Sequence, residues 1–484
     1  MRNKHLWILL IAPLFFSCDK FVDVNNNPNN PTSVPPATLL PTTILGMAFA
    51  NSNELGRATS VLVQYNAGAA NQVLQEDRFD LDNLLDNQWG NEIYGGTLNN
   101  LQLLIDQNQA TNPVYAGVAK IQKAYVISMA TDLWGDVPYS QAGQGLKYPQ
   151  PRFDAQQDIY LGNTSLGIQS LFDLVKEGIA DLDKTSVVRP GNDDLIYKGD
   201  VAKWKRAANT MLLKFAMQIS NKNAALAKTT IQAVIDGNNY INSNILDFEV
   251  PFGTSQGNQN THYSFNNVNR TSDLMLSTRF LALMKSLNDT VRLAKFYTKP
   301  TGAFVALENG AAQTLAALPP LANRSKYNVY VTGANGEAPV RLLTNFQTQF
   351  ILAESALILG TTGVANTLYQ EGITASMQKI GMTAAEISNY FTTNPTVVTL
   401  SGTTEQQRAQ IITQKYIAWI GNGIEAYNDY RRTGYPPLTL VNNAQGDNPN
   451  VIPTRLPYTI TELSSNPNAP NPRPKTDVKL WFAK

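Results

Sequence analysis

The sequence predicts a mainly α-helical protein. Apolar residues recur at spacings of three and four along many stretches, which is the period of an amphipathic helix. Most of these stretches follow one another closely, so neighbours can pack as antiparallel helix pairs. The 484 residues are 43% hydrophobic, which allows one large core or two to three ordinary domains.

The clearest predicted helix begins at Pro113. Asn112 stands at the N-cap position and proline at the first helical position, where its missing N–H costs nothing. The pattern stops near Gly135 and Pro138, which predicts the end of the helix there. The apolar positions of this helix are Val114, Val118, Ile121, Tyr125, Met129 and Leu133.

The same periodicity predicts nine further helices. In chain order they run from Gly95 to Asn108, Ser165 to Asp181, Val201 to Ser220, Ala224 to Asp236, Asp273 to Leu287, Asn345 to Leu359, Ala365 to Ile380, Glu405 to Ile420 and Gly423 to Arg432. They show no clean repeat of fixed period, so a tetratricopeptide-like arrangement is only weakly indicated by the pattern itself.

Two regions break the helical pattern. Residues from Asp236 to Asn345 are rich in glycine, asparagine and proline, and Asn328 to Thr332 is a β-like run. The stretch from Pro436 to Pro474 has a similar composition. Long irregular connections in a packed protein are more often functional surfaces than filler, so we expect ligand contacts there.

The start of the chain has the form of a bacterial lipoprotein signal. A basic beginning precedes an apolar run from Leu6 to Phe16, then Ser17 and the only cysteine, Cys18. Eleven apolar residues are too few to span a bilayer, which takes roughly 20. We predict a signal peptide over residues 1–17 and lipidation of Cys18, the alternative being ordinary secretion with a spare thiol.

The residues after Cys18 are polar, asparagine-rich and interrupted by prolines. Such a stretch buries little apolar surface and behaves as a tether. We therefore predict a lipidated tether over residues 18–36 and a folded body over 37–484. A single cysteine can form no internal disulfide, so the body depends on packing for its stability.

The charge balance excludes some partners. The chain has 38 lysines and arginines against 37 aspartates and glutamates. Binding of nucleic acid requires a basic excess, so nucleic acid is not an expected partner. An amide-rich, weakly charged surface with aromatic residues suits neutral polyhydroxyl ligands such as glycans.

Motifs for several kinds of catalysis are missing from the sequence. No phosphate loop or dinucleotide fingerprint appears, and after signal cleavage His262 is the only histidine. We predict no cofactor, no zinc site and no catalytic residue, and leave oxygen-only calcium binding open. A glycoside hydrolase with paired carboxylates remains an alternative, because that mechanism needs neither histidine nor cysteine. A helical scaffold that binds only a partner protein is a third possibility.

Three sequence blocks carry a family resemblance: Ala130 to Ala142 (ATDLWGDVPYSQA), Tyr197 to Asn209 (YKGDVAKWKRAAN) and Glu425 to Pro436 (EAYNDYRRTGYP). With the tether's Asn27 to Thr32 and the final Val478 to Phe482, they stand in the order seen in the SusD/RagB family. The chain resembles the SusD-like branch of these nutrient-binding outer-membrane lipoproteins over essentially its whole length.

The resemblance implies a single large helical domain. Tetratricopeptide-like helix pairs would form its scaffold, and long irregular loops its ligand face. Members of this family lie on the outer surface of Bacteroidota cells, lipid-anchored to the outer membrane. There they cap a SusC-like TonB-dependent transporter and deliver oligosaccharides or peptides to it, and they are not enzymes.

The arginine block and the helical tryptophans also have a simple structural interpretation. Glu425, Asp429 and Arg432 fall on one helix face as ion pairs, and Gly434 can end that helix in a left-handed turn. Capture of an anion by Arg431 and Arg432 is the alternative. The three helical tryptophans, Trp134, Trp204 and Trp419, are interpreted as core residues.

Ligand contacts are predicted from aromatic and amide residues in less regular sequence. A sugar ring stacks on an aromatic ring, and its hydroxyls need fixed donors and acceptors. Trp89 and Tyr263 are the leading candidates, with ordinary loop packing as the alternative. The full set is Tyr65, Asn66, Asn71, Gln72, Trp89, His262, Tyr263, Phe265, Tyr327 and Tyr330.

Overall fold

α-Helices dominate the structure, a computed structural model that describes residues 34–311 and 318–484. The mainly α-helical prediction is confirmed. The predicted signal peptide, Cys18 and nearly all of the predicted tether lie outside the described residues. Residues 36–484 form one compact unit.

The α-helices of the first half alternate with short connections. They are α1 (Pro36–Ser52), α2 (Glu54–Leu62), α3 (Asn71–Asp77), α4 (Asn99–Asn108), α5 (Pro113–Trp134), α6 (Gln156–Leu161), α7 (Leu171–Asp181), α8 (Val201–Gln218) and α9 (Ala224–Gly237).

The second half continues with short helices and then a longer helical group. They are α10 (Thr261–Tyr263), α11 (Thr278–Ser286), α12 (Thr290–Phe296), α13 (Val329–Thr332), α14 (Asn345–Ile358), α15 (Ala365–Lys379), α16 (Ala384–Thr393), α17 (Pro395–Val398), α18 (Thr404–Ala418), α19 (Gly423–Thr433) and α20 (Ile460–Ser465). Stretches of π-helix span Gln88–Leu98 and Ser264–Asn269.

The strands of the described residues are short and pair two by two. All three pairs are antiparallel: β1 (Asn66–Gly68) with β5 (Leu274–Leu276), β2 (Val137–Pro138) with β3 (Phe153–Asp154), and β4 (Phe248–Val250) with β6 (Val340–Leu343). The first and third pairs join distant parts of the chain, and the first connects the beginning of the domain to its irregular middle.

Helix α5 lies at the centre of the core. It begins at Pro113 and ends at Trp134, as predicted, and Gly135 follows with φ +87°. The prediction of an amphipathic helix is wrong, because every residue of α5 except Lys123 is buried. Neighbouring helices cover it on all sides, so polar as well as apolar positions lose contact with solvent.

Several consecutive helices pack against each other as pairs. Helix α4 packs on α5, α8 on α9, and α14 on α15. The connection between each pair is four to six residues long, which makes the two helices antiparallel. Helices α5 and α7 come closest at two glycines, where a Cβ on Gly117 would lie 2.7 Å from the carbonyl oxygen of Gly178.

Several helices begin at a different residue from the predicted one. The helix predicted from Ser165 starts at Leu171, because the Ser170 hydroxyl caps it by accepting from the Asp173 N–H. The helix predicted from Asp273 starts at Thr278, after strand β5. The first turns of the helix predicted from Gly95 belong to a π-helix.

Other parts differ from the sequence prediction in type. The β-like run Asn328 to Thr332 is helical from Val329, and the Asn328 side chain caps it. The helices that were not predicted also include α1, α2, α3, α6, α10, α12, α16, α17 and α20. Helix α1 begins at Pro36, which is the last residue of the predicted tether.

The family-like block of α19 forms a buried ion network, as its structural interpretation expected. Arg432 binds Asp429 at 2.8 Å, and Lys214 of α8 binds Glu425 at 2.7 Å. Gly434 follows in the left-handed region with φ +85°. The three tryptophans Trp134, Trp204 and Trp419 are buried core residues.

Candidate functional site

Three of the predicted ligand residues meet in one buried hydrogen-bond network. Asn66 donates to the Tyr327 hydroxyl and accepts from the Tyr297 hydroxyl at 3.0 Å. Tyr65 donates to the Tyr416 carbonyl oxygen. All of these side chains are buried, so the network connects β1 to the irregular middle segment inside the protein. We call this set the Tyr65–Tyr327 network.

His262 and Phe265 lie next to the Tyr65–Tyr327 network. The His262 ring packs edge-on against Tyr327 with 5.7 Å between centroids, and its Nε2 is 2.9 Å from the Gly421 carbonyl oxygen. Burial lowers the pKa of His262 to about 4, so the ring is neutral at physiological pH. The guanidinium carbon of Arg57 lies over the ring of the half-buried Phe265, 4.6 Å from the ring centroid.

Two other predicted residues are held by neighbouring side chains. The buried Tyr330 ring lies 3.8 Å from the guanidinium carbon of Arg341. Asn71 is exposed, and its amide donates to the Asp273 carboxylate at 3.0 and 3.1 Å. Gln72 beside it is half-buried and hydrogen-bonds Glu76.

Trp89 lies in a different part of the domain. Its ring packs among Trp134, Phe153 and Tyr458, and its Nε1 donates to Glu462 at 3.1 Å. Only 3% of the residue is exposed. The structure therefore separates Trp89 from the other predicted ligand residues.

Tyr263 is the aromatic candidate that combines partial exposure with an unengaged hydroxyl. It is half-buried, and its hydroxyl has no hydrogen-bond partner among the described residues. It ends helix α10, which packs against α13. Tyr263 therefore lies beside a segment that lines a surface groove of the described residues.

That groove is open and has a volume of about 730 Å³. Its walls come from three segments, residues 267–271, 298–300 and 321–334, and Tyr327 is the predicted ligand residue among its lining. Exposed apolar groups such as Leu321 and Val329 alternate there with asparagine and threonine side chains. We call this feature the 267–334 groove.

The sequence prediction of ligand contacts includes the irregular segment that forms this groove, but it does not name most residues of the groove. Asn267 and Thr271 have side chains without a hydrogen-bond partner among the described residues. Lys326 and Val329 also line it. The irregular composition from Asp236 to Asn345 was the available signal, whereas small and aliphatic groove residues carry no chemical signature of their own.

The described residues contain no group of three or more histidine, cysteine, aspartate or glutamate side chains placed to hold a metal ion. Over residues 34–311 and 318–484, no helix is long and apolar enough to cross a membrane.

Comparison with known families identifies the fold. A family profile described as "Starch-binding associating with outer membrane" and named SusD-like matches residues 28–459. The chain belongs to this SusD/RagB family. The SusD-like profile covers most of the chain, so the resemblance seen in the sequence blocks is confirmed.

Solved SusD-like structures superpose over nearly the whole chain. A chitin-binding protein is 25% identical, with a TM-score of 0.78, covering 93% of this chain and 100% of its own. A SusD/RagB family protein from Bacteroides thetaiotaomicron is 22% identical, with a TM-score of 0.76 and coverages of 93% and 99%. A chitin-binding SusD homologue from Flavobacterium johnsoniae is 21% identical, with a TM-score of 0.72 and coverages of 92% and 98%. None of the curated proteins searched is a match.

Proposed function

We propose that this SusD-like protein captures oligosaccharides at the cell surface in the 267–334 groove. The observation that carries the proposal is the groove itself, which is large enough for a small ligand and combines apolar surface with free amide and hydroxyl groups. Sugar rings present apolar faces as well as hydroxyls, so both kinds of lining are used. The starch-binding description of the family and the chitin-binding relatives support the same ligand class.

Delivery follows capture in this proposal. Lipidated Cys18 holds the protein at the outer membrane, and residues 18–36 tether it there. A SusC-like TonB-dependent transporter then receives the oligosaccharide. A tether raises the local concentration of the binding protein above its transporter, so moderate affinity suffices and release stays fast.

A peptide-binding role within the same family is the nearest alternative, and a glycoside hydrolase is the other. A hydrolase of the paired-carboxylate type needs two acidic side chains at the scissile bond. The described lining of the 267–334 groove contains none. This absence at the groove favours binding over turnover.

An obstructing substitution tests the groove. Val329 lies at its edge and is 57% exposed, so Val329→Trp places an indole in the opening without disturbing the core. Val364→Trp is the matched control, because Val364 is 66% exposed and lies outside the groove. We expect calorimetry with chitin and starch oligosaccharides to show lost binding for the first variant alone.

Two outcomes would contradict the proposal. Equal glycan affinity in Val329→Trp and Val364→Trp would remove the groove as the binding site. New reducing ends during incubation of the wild-type protein with oligosaccharides would replace binding by hydrolysis. Transporter delivery is tested by affinity purification from native membranes, where we expect a TonB-dependent transporter to copurify, and its absence would overturn the delivery step.

A further inference from the structure

The 267–334 groove is positively charged in a nearly neutral protein. Its lining contains two basic residues, Arg324 and Lys326, and no aspartate or glutamate. The whole chain, by contrast, has 38 basic and 37 acidic residues. The charge is therefore concentrated where the proposed ligand binds.

Lys326 carries a positive charge that no acidic side chain of the described residues neutralises. It is half-buried in the lining, and its ammonium group has no hydrogen-bond or ion-pair partner among the described residues. The three buried lysines of the described residues, Lys120, Lys214 and Lys415, each bind a carboxylate. Lys326 differs from them because the protein supplies no counter-ion to it.

Arg324 lies in the same wall and is held in place by the backbone. Its Nε donates to the Pro319 carbonyl oxygen at 2.9 Å, and its Nη1 donates to that of Ser272 at 2.8 Å. Its Nη2 has no partner among the described residues. The nearby carboxylate of Asp273 is buried and accepts from Asn71 and Ser272.

The positive charges of Lys326 and Arg324 repel each other in the groove lining. Burial lowers the pKa of Lys326, and the positive charge of Arg324 lowers it further. Burial also lowers the pKa of Arg324. An anion bound between them would remove both the repulsion and the unsatisfied donors.

We propose that the 267–334 groove selects oligosaccharides that carry an anionic substituent, a carboxylate or a sulfate. The Lys326 ammonium and the free Arg324 nitrogen bind the anionic group, while Asn267 and Thr271 bind neighbouring hydroxyls. This inference rests on the proposed glycan-binding function and narrows its substrate class. It departs from the neutral ligands that the overall charge balance suggested.

The test uses three trisaccharides with one backbone: trigalacturonate, its carboxyl-reduced neutral counterpart, and the sulfated form of that counterpart. Calorimetry should give at least one anionic form an affinity about tenfold above the neutral form, the size of one charged hydrogen bond. Raising the salt concentration should weaken only the anionic ligand. Triglutamate should bind more weakly than the anionic sugar.

Variants of Lys326 connect the effect to the groove. Lys326→Gln should lower anionic affinity about tenfold and lower neutral affinity much less, with the protein still folded by its thermal melt. Lys326→Arg should keep the preference, since the charge is retained. Lys222→Gln is the matched control, because Lys222 is exposed and lies outside the groove.

The outcomes separate this inference from the function on which it rests. Equal or tighter binding of the neutral trisaccharide, or an equal loss for both ligands in Lys326→Gln, overturns the anionic preference and leaves glycan capture standing. Tighter binding of triglutamate than of the anionic trisaccharides would overturn the inference and identify the groove as a site for acidic peptides. Failure to bind any of the three sugars overturns the inference, and failure to bind chitin and starch oligosaccharides as well overturns the glycan function.

Discussion

Glu354 and Arg432 form a bidentate ion pair inside the helical core. The Nη1–Oε1 distance is 2.6 Å and the Nη2–Oε2 distance is 2.7 Å. Glu354 comes from α14 and Arg432 from α19, so the pair joins two helices that are distant in sequence. Arg408 of α18 donates to the same carboxylate at 2.9 Å.

We expect Glu354→Gln to lower the free energy of unfolding by about 3–5 kcal/mol, because buried Arg408 loses its counter-ion and buried Arg432 keeps only Asp429. Urea denaturation measures the loss. Glu405→Gln is the control: Glu405 binds Lys484 at 3.0 Å on the surface, and its loss should cost less than about 1 kcal/mol. Similar losses in both variants would contradict the role of the buried pair.

Glu354 also predicts how stability changes in acid. Burial alone would raise its pKa, but the charge and hydrogen bonds of Arg432 lower it from 4.5 to about 2. The carboxylate therefore contributes stability that is present above about pH 4.5 and is lost as the pH falls towards 2. The stability difference between wild type and Glu354→Gln should shrink over that interval, and a constant difference would be inconsistent with this linkage.

His262 predicts a second, separate pH effect. Its pKa falls from 6.5 to about 4 on folding, chiefly by burial, so the folded state binds fewer protons between these values. Its contribution is present above pH 6.5 and is lost as the pH falls to about 4, by at most about 3 kcal/mol. Replacing it by glutamine keeps a donor for Gly421 and should remove this part of the slope. Thermal melts of both proteins from pH 7 to 4 test it, and parallel curves would argue against it.

The two leading aromatic candidates should behave differently. Tyr263→Ala is expected to weaken glycan binding about tenfold with little change in stability, because the half-buried ring lies beside the groove. Trp89→Ala should cost about 3–5 kcal/mol of stability, since its ring is buried among other aromatic rings. Calorimetry and denaturation together separate the effects. Unchanged glycan affinity in Tyr263→Ala would withdraw that residue from the site.

Lipidation is tested at Cys18. Cys18→Ala should still be exported but should appear in the soluble fraction, because one or two acyl chains provide the membrane affinity. Mass spectrometry of the wild-type amino terminus gives the matching observation. Firm membrane retention of the variant would contradict the predicted anchor.

Local sequence was a good guide where one interaction decides the structure. Pro113 and Gly135 fixed the ends of α5, and the spacing of Asp429 and Arg432 predicted their ion pair. It failed where tertiary contacts override the local pattern. Helix α13 replaces a β-like run of Val329, Tyr330 and Val331, because Asn328 caps a short helix while its amide donates to the distant Ala294 carbonyl oxygen at 2.8 Å.

The candidate site shows the same division. The sequence selected Tyr65, Asn66 and Tyr327 as candidate ligand residues. Only the folded chain determines that they form a buried hydrogen-bond network. The 267–334 groove needs three segments brought together across about seventy residues, and no local pattern encodes that meeting.

The sequence by itself determined the helical class and the family, because periodicity and ordered motifs are properties of neighbouring residues. The tertiary structure alone decided which polar side chains remain without partners. Lys326 and Lys214 have the same side chain, but one lies in an open groove and the other binds Glu425 in the core. That difference depends on packing over long range, which sets both burial and the available counter-ions.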